Sequence, residues 1–392
     1  MFPLLSHSIL QSEIPPDNKF SGEELILRPA SKAGFVSNSG VRNFDETSSV
    51  REALDISDFT EAIEKYKQVC SSLNKDSNKS RYPEFIFLGT GSATPSKYRN
   101  SSCILVKIDD ESTFMLDCGE GSFGQFFRFF GDDLFSELKK LKGIYVSHHH
   151  ADHHLSLIEL LKSRESLNLP PLPLIIPPAV SDWLQAYSDK YESIDHLFKI
   201  YHSTTFQSPN ACKSLWSQLN IENLVTVKVP HCKDSMGLIF HIGKERSYKI
   251  VYSGDTMPSS ALIREGMNCD VLIHEATMDD GLEEDAIAKK HCTMSQAIDV
   301  GLRMKAKNTI LTHFSQRYSK IPLISFSDMG NVGIAFDNMR IRYCDLPKLP
   351  HLIEPLKILF HDDHEELLDK SSLRLRKKQV LAEVSQKMDS LF

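Results

Sequence analysis

Short apolar runs alternate with polar loops through most of the chain, and this pattern predicts its secondary structure. Between residues 81 and 345 the apolar runs each end in a polar loop that often contains glycine: EFIFLGTGS, TFMLDCGEG, GIYVSHH, LVTVKVPH, KIVYSGDT, DVLIHEAT and TILTHFS. Helical periodicity lies between several of these runs. Repeated strand, loop and helix units predict an α/β fold.

The two ends of the chain are patterned differently from this middle region. Residues 1–80 contain a short strand candidate at 24–29 and a helix candidate at 58–73, followed by a polar linker at 74–80. From about Pro350 onward the chain is charged and has helical periodicity. We therefore expect three regions, 1–80, 81–349 and 350–392, with the main domain in the middle.

Composition narrows the class of protein. Of the 392 residues, 41% are hydrophobic and 25% are charged, as in ordinary globular proteins. No apolar run approaches the length of a membrane span, and the first twenty residues have acids, prolines and no arginine, unlike a signal or transit peptide. The eight cysteines are scattered without a CxxC pair, which favours a reducing, intracellular compartment. The net charge of −7 argues against a general nucleic-acid binder.

Titratable side chains follow the predicted strands. In an α/β fold the carboxyl ends of parallel strands meet at one edge, where ligands bind. A single histidine there is more often a structural side chain, but six strand ends with such groups favour a metal site, with zinc as the first candidate. The side chains at these ends are Asp117, the His148–His153 cluster, His231, Asp255, His274 with Glu275, and His313.

The densest of these groups is HHHADHH, which places five histidines and one aspartate in residues 148–154. Such a stretch is either a solvated polar loop or a metal site. Alternate residues of an extended segment point to the same side, so His148 and His150 can bind one ion. The helix predicted to follow, LSLIELLKS, would turn Asp152 and His153 toward a second ion.

Ligands after later strands can complete both ions. His231 and His313 can each complete one ion, and Asp255 can bridge the two, at the ~3.5–4 Å separation of two-metal hydrolases. His149 and His154 are out of phase with this pattern. We expect His149 to face outward and His154 to belong to the start of the helix.

Beyond these spacings, several stretches resemble a known family. HxHxDH with later His, Asp and His ligands resembles the metallo-β-lactamase superfamily, which implies a four-layer αββα sandwich. FLGTGSATPSKYRN carries a PxKxRN loop at Pro95, Lys97, Arg99 and Asn100. PHCKDSMG, VYSGDTMP, LIHEAT and LTHFSQRY complete a resemblance to tRNase Z, the endonuclease that removes 3′ trailers from precursor tRNA. HxHxDH alone is typical only of the superfamily, whereas the combination of motifs is specific.

The resemblance implies a two-zinc hydrolase that cuts after the discriminator nucleotide and leaves a 3′-OH on the tRNA and a 5′-phosphate on the trailer. It implies these zinc ligands: His148, His150 and His231 for one ion, Asp152, His153 and His313 for the other, and Asp255 for both.

The same resemblance implies the remaining roles in the site. Asp152 is expected to accept a proton, and His291 to donate one to the leaving 3′-oxygen while Glu275 orients it. His274 is expected to be structural. The residues expected to contact substrate are Lys97, Arg99, Asn100 and Thr293.

Two departures from the family pattern stand out. The family's HST box is HCT here, with Cys292 in place of serine beside His291. Only 23 residues separate His231 from Asp255, so the RNA-gripping arm of short family members has no room there. The chain therefore resembles the carboxyl-terminal half of the long eukaryotic form, and residues 1–80 the linker and remnant of an amino-terminal half. The expected partners are precursor tRNA and an arm-bearing amino half or second subunit, without a membrane, in the nucleus or mitochondrion.

Two other functions stay open at this point. A hydrolase of a small phosphodiester or thioester would share the ligands, although it has no need of PxKxRN, HEAT and HFSQRY. An RNA-binding half that requires a partner for activity would have no need of all seven ligands.

Overall fold

The computed structural model describes residues 32–36, 40–45, 52–73, 81–207, 213–243, 246–316, 321–322, 330–370, 372–374 and 376. The chain divides into two compact units, residues 1–75 with 351–359 and residues 76–350 with 360–392. The predicted strand at 24–29 and the linker at 74–80 lie outside the described residues. Residues 351–359 group with the amino-terminal unit, whereas the sequence pattern assigns them to a tail. The boundaries at 80 and 349 stay a prediction.

Within its described residues, the smaller unit contains an antiparallel pair of strands, two longer helices and a short helical stretch at 52–54. Strands β1 (Lys32–Val36) and β2 (Gly40–Asp45) pair in a stretch that the sequence pattern leaves unassigned. The helix predicted over 58–73 is confirmed as Ser57–Leu73. Its apolar face and the helix Ile353–Leu359 share a small core. That core consists of Ala53, Phe59 and Ile63, with Ile56, Ile358 and Leu359 packed against it.

The larger unit is built on two sheets. The seven-stranded sheet has the order β15-β3-β4-β5-β6-β7-β8. Its strands are β3 (Glu84–Gly89), β4 (Cys103–Asp109), β5 (Ser112–Leu116), β6 (Leu141–Tyr145), β7 (Leu172–Ile176), β8 (Phe198–His202) and β15 (Met339–Arg342). The six-stranded sheet has the order β14-β13-β12-β11-β10-β9. Its strands are β9 (Asn223–Lys228), β10 (Met236–Ile242), β11 (Tyr248–Tyr252), β12 (Val271–Glu275), β13 (Thr309–Thr312) and β14 (Val332–Ile334).

The two sheets pack face to face. The Phe114 ring of β5 lies 5.7 Å from the Phe240 ring of β10, centroid to centroid. The Tyr145 hydroxyl of β6 donates to the Met236 carbonyl of β10 at 2.6 Å. Because sheets in this position are covered on both faces, their strands are continuous apolar runs and do not alternate; every residue of β3 and β5 is buried.

Helices cover the outer faces of both sheets. The helices of the larger unit are Ser122–Phe130, Leu134–Lys140, Leu157–Glu165, Pro178–Lys190, Lys213–Leu219, Ser260–Gly266, Glu283–Lys289 and Met294–Met304, followed by helical residues 361–370. Three-residue 3₁₀ helices occur at Gly131–Asp133, Ala151–His153, Asp195–Leu197 and Ser203–Thr205, and a ten-residue one at Tyr343–Leu352. Residues of the first four of these helices share one core with the seven-stranded sheet, and Ser260–Gly266 and Met294–Met304 share another with the six-stranded sheet. The predicted four-layer αββα sandwich is confirmed.

Strand direction explains where the polar side chains gather. Strands β5 and β6 are parallel, as are β11, β12 and β13. Their carboxyl ends therefore meet at one edge of each sheet. No helix in the part of the chain that the structure describes is long and apolar enough to cross a membrane.

Candidate metal centre and active site

The side chains that follow the strands converge on one cluster at the edge of the sandwich. Each of the seven predicted ligands belongs to a group of potential donors whose atoms lie within 4.8 Å of one another. The cluster draws on loops after β6, β9, β11 and β13. These ligands are His148, His150, Asp152, His153, His231, Asp255 and His313.

The first donor set surrounds His150. Its Nδ1 lies 2.9 Å from Nε2 of His148 and 3.2 Å from Nε2 of His231. Oδ2 of Asp255 lies 3.5 Å from Nε2 of His148 and 3.8 Å from Nε2 of His231. Ligands held ~2.0–2.1 Å from a tetrahedral zinc ion are about 3.3 Å apart. The four atoms have the separations that one such ion requires.

The second donor set lies on the other side of Asp255. Nε2 of His153 is 3.5 Å from Oδ2 of Asp152 and 3.4 Å from Oδ2 of Asp255. Nε2 of His313 is 3.4 Å from Oδ2 of Asp152 and 3.3 Å from Oδ1 of Asp255. These spacings also match a tetrahedral ion, and Asp255 is common to both sets.

Unsatisfied polar atoms support a metal at this position. Within the described residues, Nε2 of His153, Oδ1 of Asp255 and Nε2 of His313 are buried without a hydrogen-bond partner. Leaving such atoms unpaired costs ~1–3 kcal/mol each. All three point into the second donor set, where a divalent cation would satisfy them.

The pKa values of the cluster's side chains also favour the binding of a cation. Burial lowers the pKa of His148, His150 and His231, so these imidazoles are neutral and available as ligands. Burial by itself raises the pKa of Asp255, but the neighbouring His313 and His153 outweigh it and hold that pKa well below its usual range. The shared carboxyl is therefore ionised.

Asp117 orients one of the candidate ligands. Its Oδ2 accepts hydrogen bonds from Nδ1 of His153 at 2.7 Å, from the Ser147 hydroxyl at 2.9 Å and from the Tyr252 hydroxyl at 2.5 Å. A carboxylate behind a ligating histidine sets the ring's tautomer and orientation. The sequence places Asp117 at a strand end but does not indicate this supporting role, because Tyr252 reaches it from the other sheet.

Other ligands have their second ring nitrogen fixed in the same way. Nδ1 of His313 pairs with the Thr277 hydroxyl at 2.9 Å, and Nδ1 of His231 with the Lys290 carbonyl at 2.9 Å. The amide of Ala93 donates to Oδ2 of Asp152 at 2.6 Å. These contacts leave Nε2 of both rings to face the donor sets.

His291 and Glu275 form a hydrogen-bonded pair beside the donor sets. Nδ1 of His291 lies 2.8 Å from Oε1 of Glu275, and the His291 ring centroid lies 4.8 Å from that of His231. Burial by itself lowers the pKa of His291, but the charge and hydrogen bond of Glu275 raise it to about 9. The His291 imidazole therefore carries a proton at neutral pH.

Both carboxylate oxygens of Glu275 are held by hydrogen bonds. Its Oε1 also accepts from the Thr256 amide at 2.8 Å. Its Oε2 accepts from the Thr277 hydroxyl at 2.6 Å and from the Cys292 amide at 3.2 Å. The carboxylate therefore has little freedom to move away from His291.

The HCT box divides into one site residue and two structural ones. Cys292 is buried, and its Sγ contacts the Thr256 carbonyl at 3.1 Å. Thr293 is 1% exposed and caps the helix Met294–Met304, since its hydroxyl accepts from the Gln296 amide. The expectation that Thr293 contacts substrate does not fit this position, because its side chain is committed to the helix cap.

The PxKxRN loop presents its basic residues differently from the expectation. Lys97 is exposed, but only 3% of Arg99 is exposed. The Arg99 guanidinium donates to the Thr90 hydroxyl at 2.6 Å and to the Ala335 carbonyl at 2.9 Å, and it lies 4.6 Å from the Phe314 ring centroid. Arg99 is one of the residues expected to contact substrate, and in this conformation its side chain anchors the loop to the interior.

The buried carboxylate of Asp337 joins the two ends of this loop. The sequence pattern does not single out this residue. Oδ1 of Asp337 accepts from the amide and hydroxyl of Thr90 at 2.9 and 2.7 Å, and Oδ2 accepts from the Asn100 amide at 2.6 Å. Nδ2 of Asn100 donates to the Glu120 carbonyl at 3.0 Å. Both ends of the loop are thus tied to one side chain.

The remaining histidines of the motifs lie around the centre. His149 is half-buried, with Nδ1 3.5 Å from Sγ of Cys232. His154 is buried against the Trp183 ring and precedes the helix, which begins at Leu157. His274 is fully buried and pairs with the Glu275 carbonyl through Nδ1 at 2.7 Å.

Comparison with known proteins agrees with the sandwich and its centre. The family model for Anti-Pycsar protein Apyc1 matches residues 83–333, well over half of the chain. Among solved structures, the long form RNase Z from yeast has a TM-score of 0.64 and 30% identity, covering 73% of this chain and 44% of that one. The metallo-beta-lactamase fold protein YhfI from Bacillus subtilis has a TM-score of 0.51 and 17% identity over 66% of this chain and 98% of its own, which shows the fold alone.

Curated relatives are similar over most of the chain. Zinc phosphodiesterase ELAC protein 2 of Rattus norvegicus is 41% identical over 87% of this chain and 43% of its own length. Ribonuclease Z, mitochondrial, of Drosophila melanogaster is 40% identical over 85% of this chain and 45% of its own length. The chain thus spans less than half the length of these relatives.

The sandwich and its paired donor sets define a metallo-β-lactamase-fold protein. Within that class, the chain belongs to the family that the Anti-Pycsar protein Apyc1 model describes. The resemblance to tRNase Z that the motifs indicate is confirmed by the similarity to zinc phosphodiesterase ELAC protein 2 and to ribonuclease Z.

Proposed function

We propose that the chain is a zinc-dependent endoribonuclease that removes the 3′ trailer of precursor tRNA. Cleavage follows the discriminator nucleotide and leaves a 3′-OH on the tRNA and a 5′-phosphate on the trailer. The observation that carries this proposal is the pair of donor sets sharing Asp255, with the protonated His291 beside them. The similarity to ribonuclease Z supports the choice of substrate.

The residues present suit two zinc ions. His148, His150 and His231 would hold one, the second set would hold the other, and Asp255 would touch both. The second set consists of Asp152, His153 and His313. When bound, such ions lower the pKa of water and neutralise charge on a phosphodiester.

The chain's own side chains would move the protons. Asp152 would accept the proton of the attacking water, since its carboxylate is ionised and faces the second donor set. His291 would donate a proton to the leaving 3′-oxygen, which is a poor leaving group without one. Glu275 holds His291 in position and keeps it protonated.

The exposed part of the PxKxRN loop would meet the RNA. Lys97 is the exposed cation of this loop and would contact a phosphate. Asn100 is half-buried and has its amide and side chain bonded within the protein, so it would shape the loop along with Arg99. In this proposal, Lys97 contacts the substrate. Arg99, Asn100 and Thr293 have supporting structural roles.

A cleavage assay tests this function directly. The purified, zinc-loaded chain should cut a precursor tRNA with a 3′ trailer at one bond, and the released trailer should accept no label at its 5′ end until phosphatase removes the phosphate. A chain that leaves the RNA intact with zinc or manganese, yet hydrolyses bis(p-nitrophenyl) phosphate, would instead be a hydrolase of small phosphodiesters. Failure on both substrates would favour an RNA-binding half.

The missing arm leads to a further expectation about affinity. Strands β10 and β11 fill the interval between His231 and Asp255, so the described surface has no arm insertion at that position. We expect the chain alone to cleave with a high KM, and an attached arm-bearing amino half to lower KM by about 10²-fold, because the second contact becomes intramolecular. KM measured with and without that half decides this, and equal values on full and acceptor-stem substrates would exclude the arm as the determinant.

The compartment is also part of the proposal. The Drosophila relative is named a mitochondrial protein, which supports a mitochondrial location for this chain. The nuclear location stays a prediction from family resemblance.

A further inference from the structure

The PxKxRN loop carries an exposed aromatic ring at its tip. Residues 93–98 are all exposed, and 42% of Tyr98 is accessible to solvent. We propose that Tyr98 is a stacking platform for an unpaired base of the RNA strand next to the cleaved bond. This inference rests on the proposed function and names a substrate-binding residue for it.

Hydrogen bonds hold the base of the loop in place beneath this ring. The amide of Gly91 donates to the Asn100 carbonyl at 2.8 Å, and the amide of Ser96 donates to the Arg99 carbonyl at 2.8 Å. Arg99, the next residue after Tyr98, is buried and bonded to the interior. A ring on a backbone that is already ordered loses little conformational entropy when a base stacks on it.

Backbone hydrogen bonds also hold the loop next to the candidate metal centre. The Ala93 amide contacts Oδ2 of Asp152, and the Ser92 amide donates to the carbonyl of Phe314, which follows His313. Tyr98 is five positions after Ala93, and even a fully extended chain would span no more than about 17 Å over that distance. Tyr98 therefore lies within a few nucleotides of any phosphodiester bound at the donor sets.

The chemistry around the ring suits a nucleotide. Nζ of Lys97 lies 5.1 Å from the centroid of the Tyr98 ring. An aromatic face binds any base by stacking, and an adjacent ammonium attracts the phosphate beside that base. Because the whole chain has a net charge of −7, its RNA affinity depends on such local groups.

Another exposed tyrosine provides a matched control. Tyr191 follows the helix Pro178–Lys190 and is 81% exposed. Its ring stacks on that of Tyr187 with centroids 5.6 Å apart. Its segment has none of the contacts to Asp152 that the PxKxRN loop makes. Removing this ring changes surface aromatic area without touching the proposed platform.

The experiment compares Tyr98→Ala, Tyr98→Phe and Tyr191→Ala on precursor tRNA. It uses the intact substrate and a series with one abasic nucleotide at each position flanking the cleaved bond. We expect Tyr98→Ala to raise KM about 5- to 150-fold with kcat little changed, as for the loss of stacking under one base. Tyr98→Phe and Tyr191→Ala should resemble the wild type. At one abasic position the difference between wild type and Tyr98→Ala should disappear, because the base that stacks is gone.

The outcomes separate this inference from the proposed function. If the wild type cleaves and Tyr98→Ala has an unchanged KM, Tyr98 is not a platform although the enzyme assignment stands. The same conclusion follows if Tyr98→Ala loses equal affinity at every abasic position, or if Tyr191→Ala is equally impaired. If the zinc-loaded wild type leaves precursor tRNA uncut, the function itself is wrong, and the role of Tyr98 is wrong with it.

Discussion

Asp255→Ala should remove both metal ions and lower the cleavage rate about 10³-fold or more. Asp255 is the one side chain that belongs to both donor sets, with oxygens 3.3–3.8 Å from Nε2 of His148, His153, His231 and His313. Its loss takes a ligand from each ion. Metal ions contribute several kcal/mol to such reactions, and each 1.36 kcal/mol is a factor of ten in rate.

Metal analysis with two further variants makes this expectation specific. His150 belongs only to the first set and is exposed, so His150→Ala should fold and bind about one ion where the wild type binds about two. Asp182→Ala changes an exposed carboxylate on the helix Pro178–Lys190 and should keep both. A folded Asp255→Ala protein with two bound ions, as judged by elemental analysis and circular dichroism, would exclude Asp255 as the shared ligand.

His291→Ala should keep its metal and fold but lower kcat by roughly 10²–10⁴-fold, the usual contribution of a general acid. The imidazole lies beside the donor sets, and Glu275 keeps it protonated, with a pKa of about 9. A substrate whose leaving 3′-oxygen is replaced by sulfur should restore most of the rate, because a thiolate leaves without needing a proton. Single-turnover rates on both substrates provide the measurement.

The surface offers a matched pair for this test. Nε2 of His196 lies 2.8 Å from Oε1 of Glu165, the same separation as between His291 and Glu275, but both partners are exposed. His196→Ala should cleave both substrates at the wild-type rate. If His291→Ala loses zinc, or if sulfur substitution does not restore its rate, then His291 is a ligand or a structural residue and not the acid.

Arg99 shows what the structure adds to a motif, because the motif predicts the residue type and the structure shows where the side chain lies. The PxKxRN pattern places two cations two and four positions after its proline, and an exposed turn would make both available to phosphate. The structure separates them, since Lys97 is exposed and Arg99 is buried against Phe314 and Phe336. Arg99 therefore anchors the loop that Lys97 and Tyr98 share.

The sequence by itself determined the α/β class and the set of potential ligands, and its resemblance to the metallo-β-lactamase superfamily implied the αββα sandwich. Apolar runs define buried strands, and the polar residues after parallel strands must meet at one edge of a sheet. The spacing of His148, His150, Asp152 and His153 is local, so a single loop and turn bring those four side chains together. These features depend on residues that are close together in the sequence, so a local sequence pattern is enough to predict them.

Only the tertiary structure decided which side chains support the ligands and which face solvent. The Arg99 guanidinium bonds to the carbonyl of Ala335, 236 positions along the chain, and Asp117 accepts from Tyr252, 135 positions away. Thr293 could have faced substrate or capped its helix, and the choice depends on how that helix starts against the sheet. Contacts of this kind join segments far apart in sequence, and local spacing does not encode which distant segment will pack against a given residue.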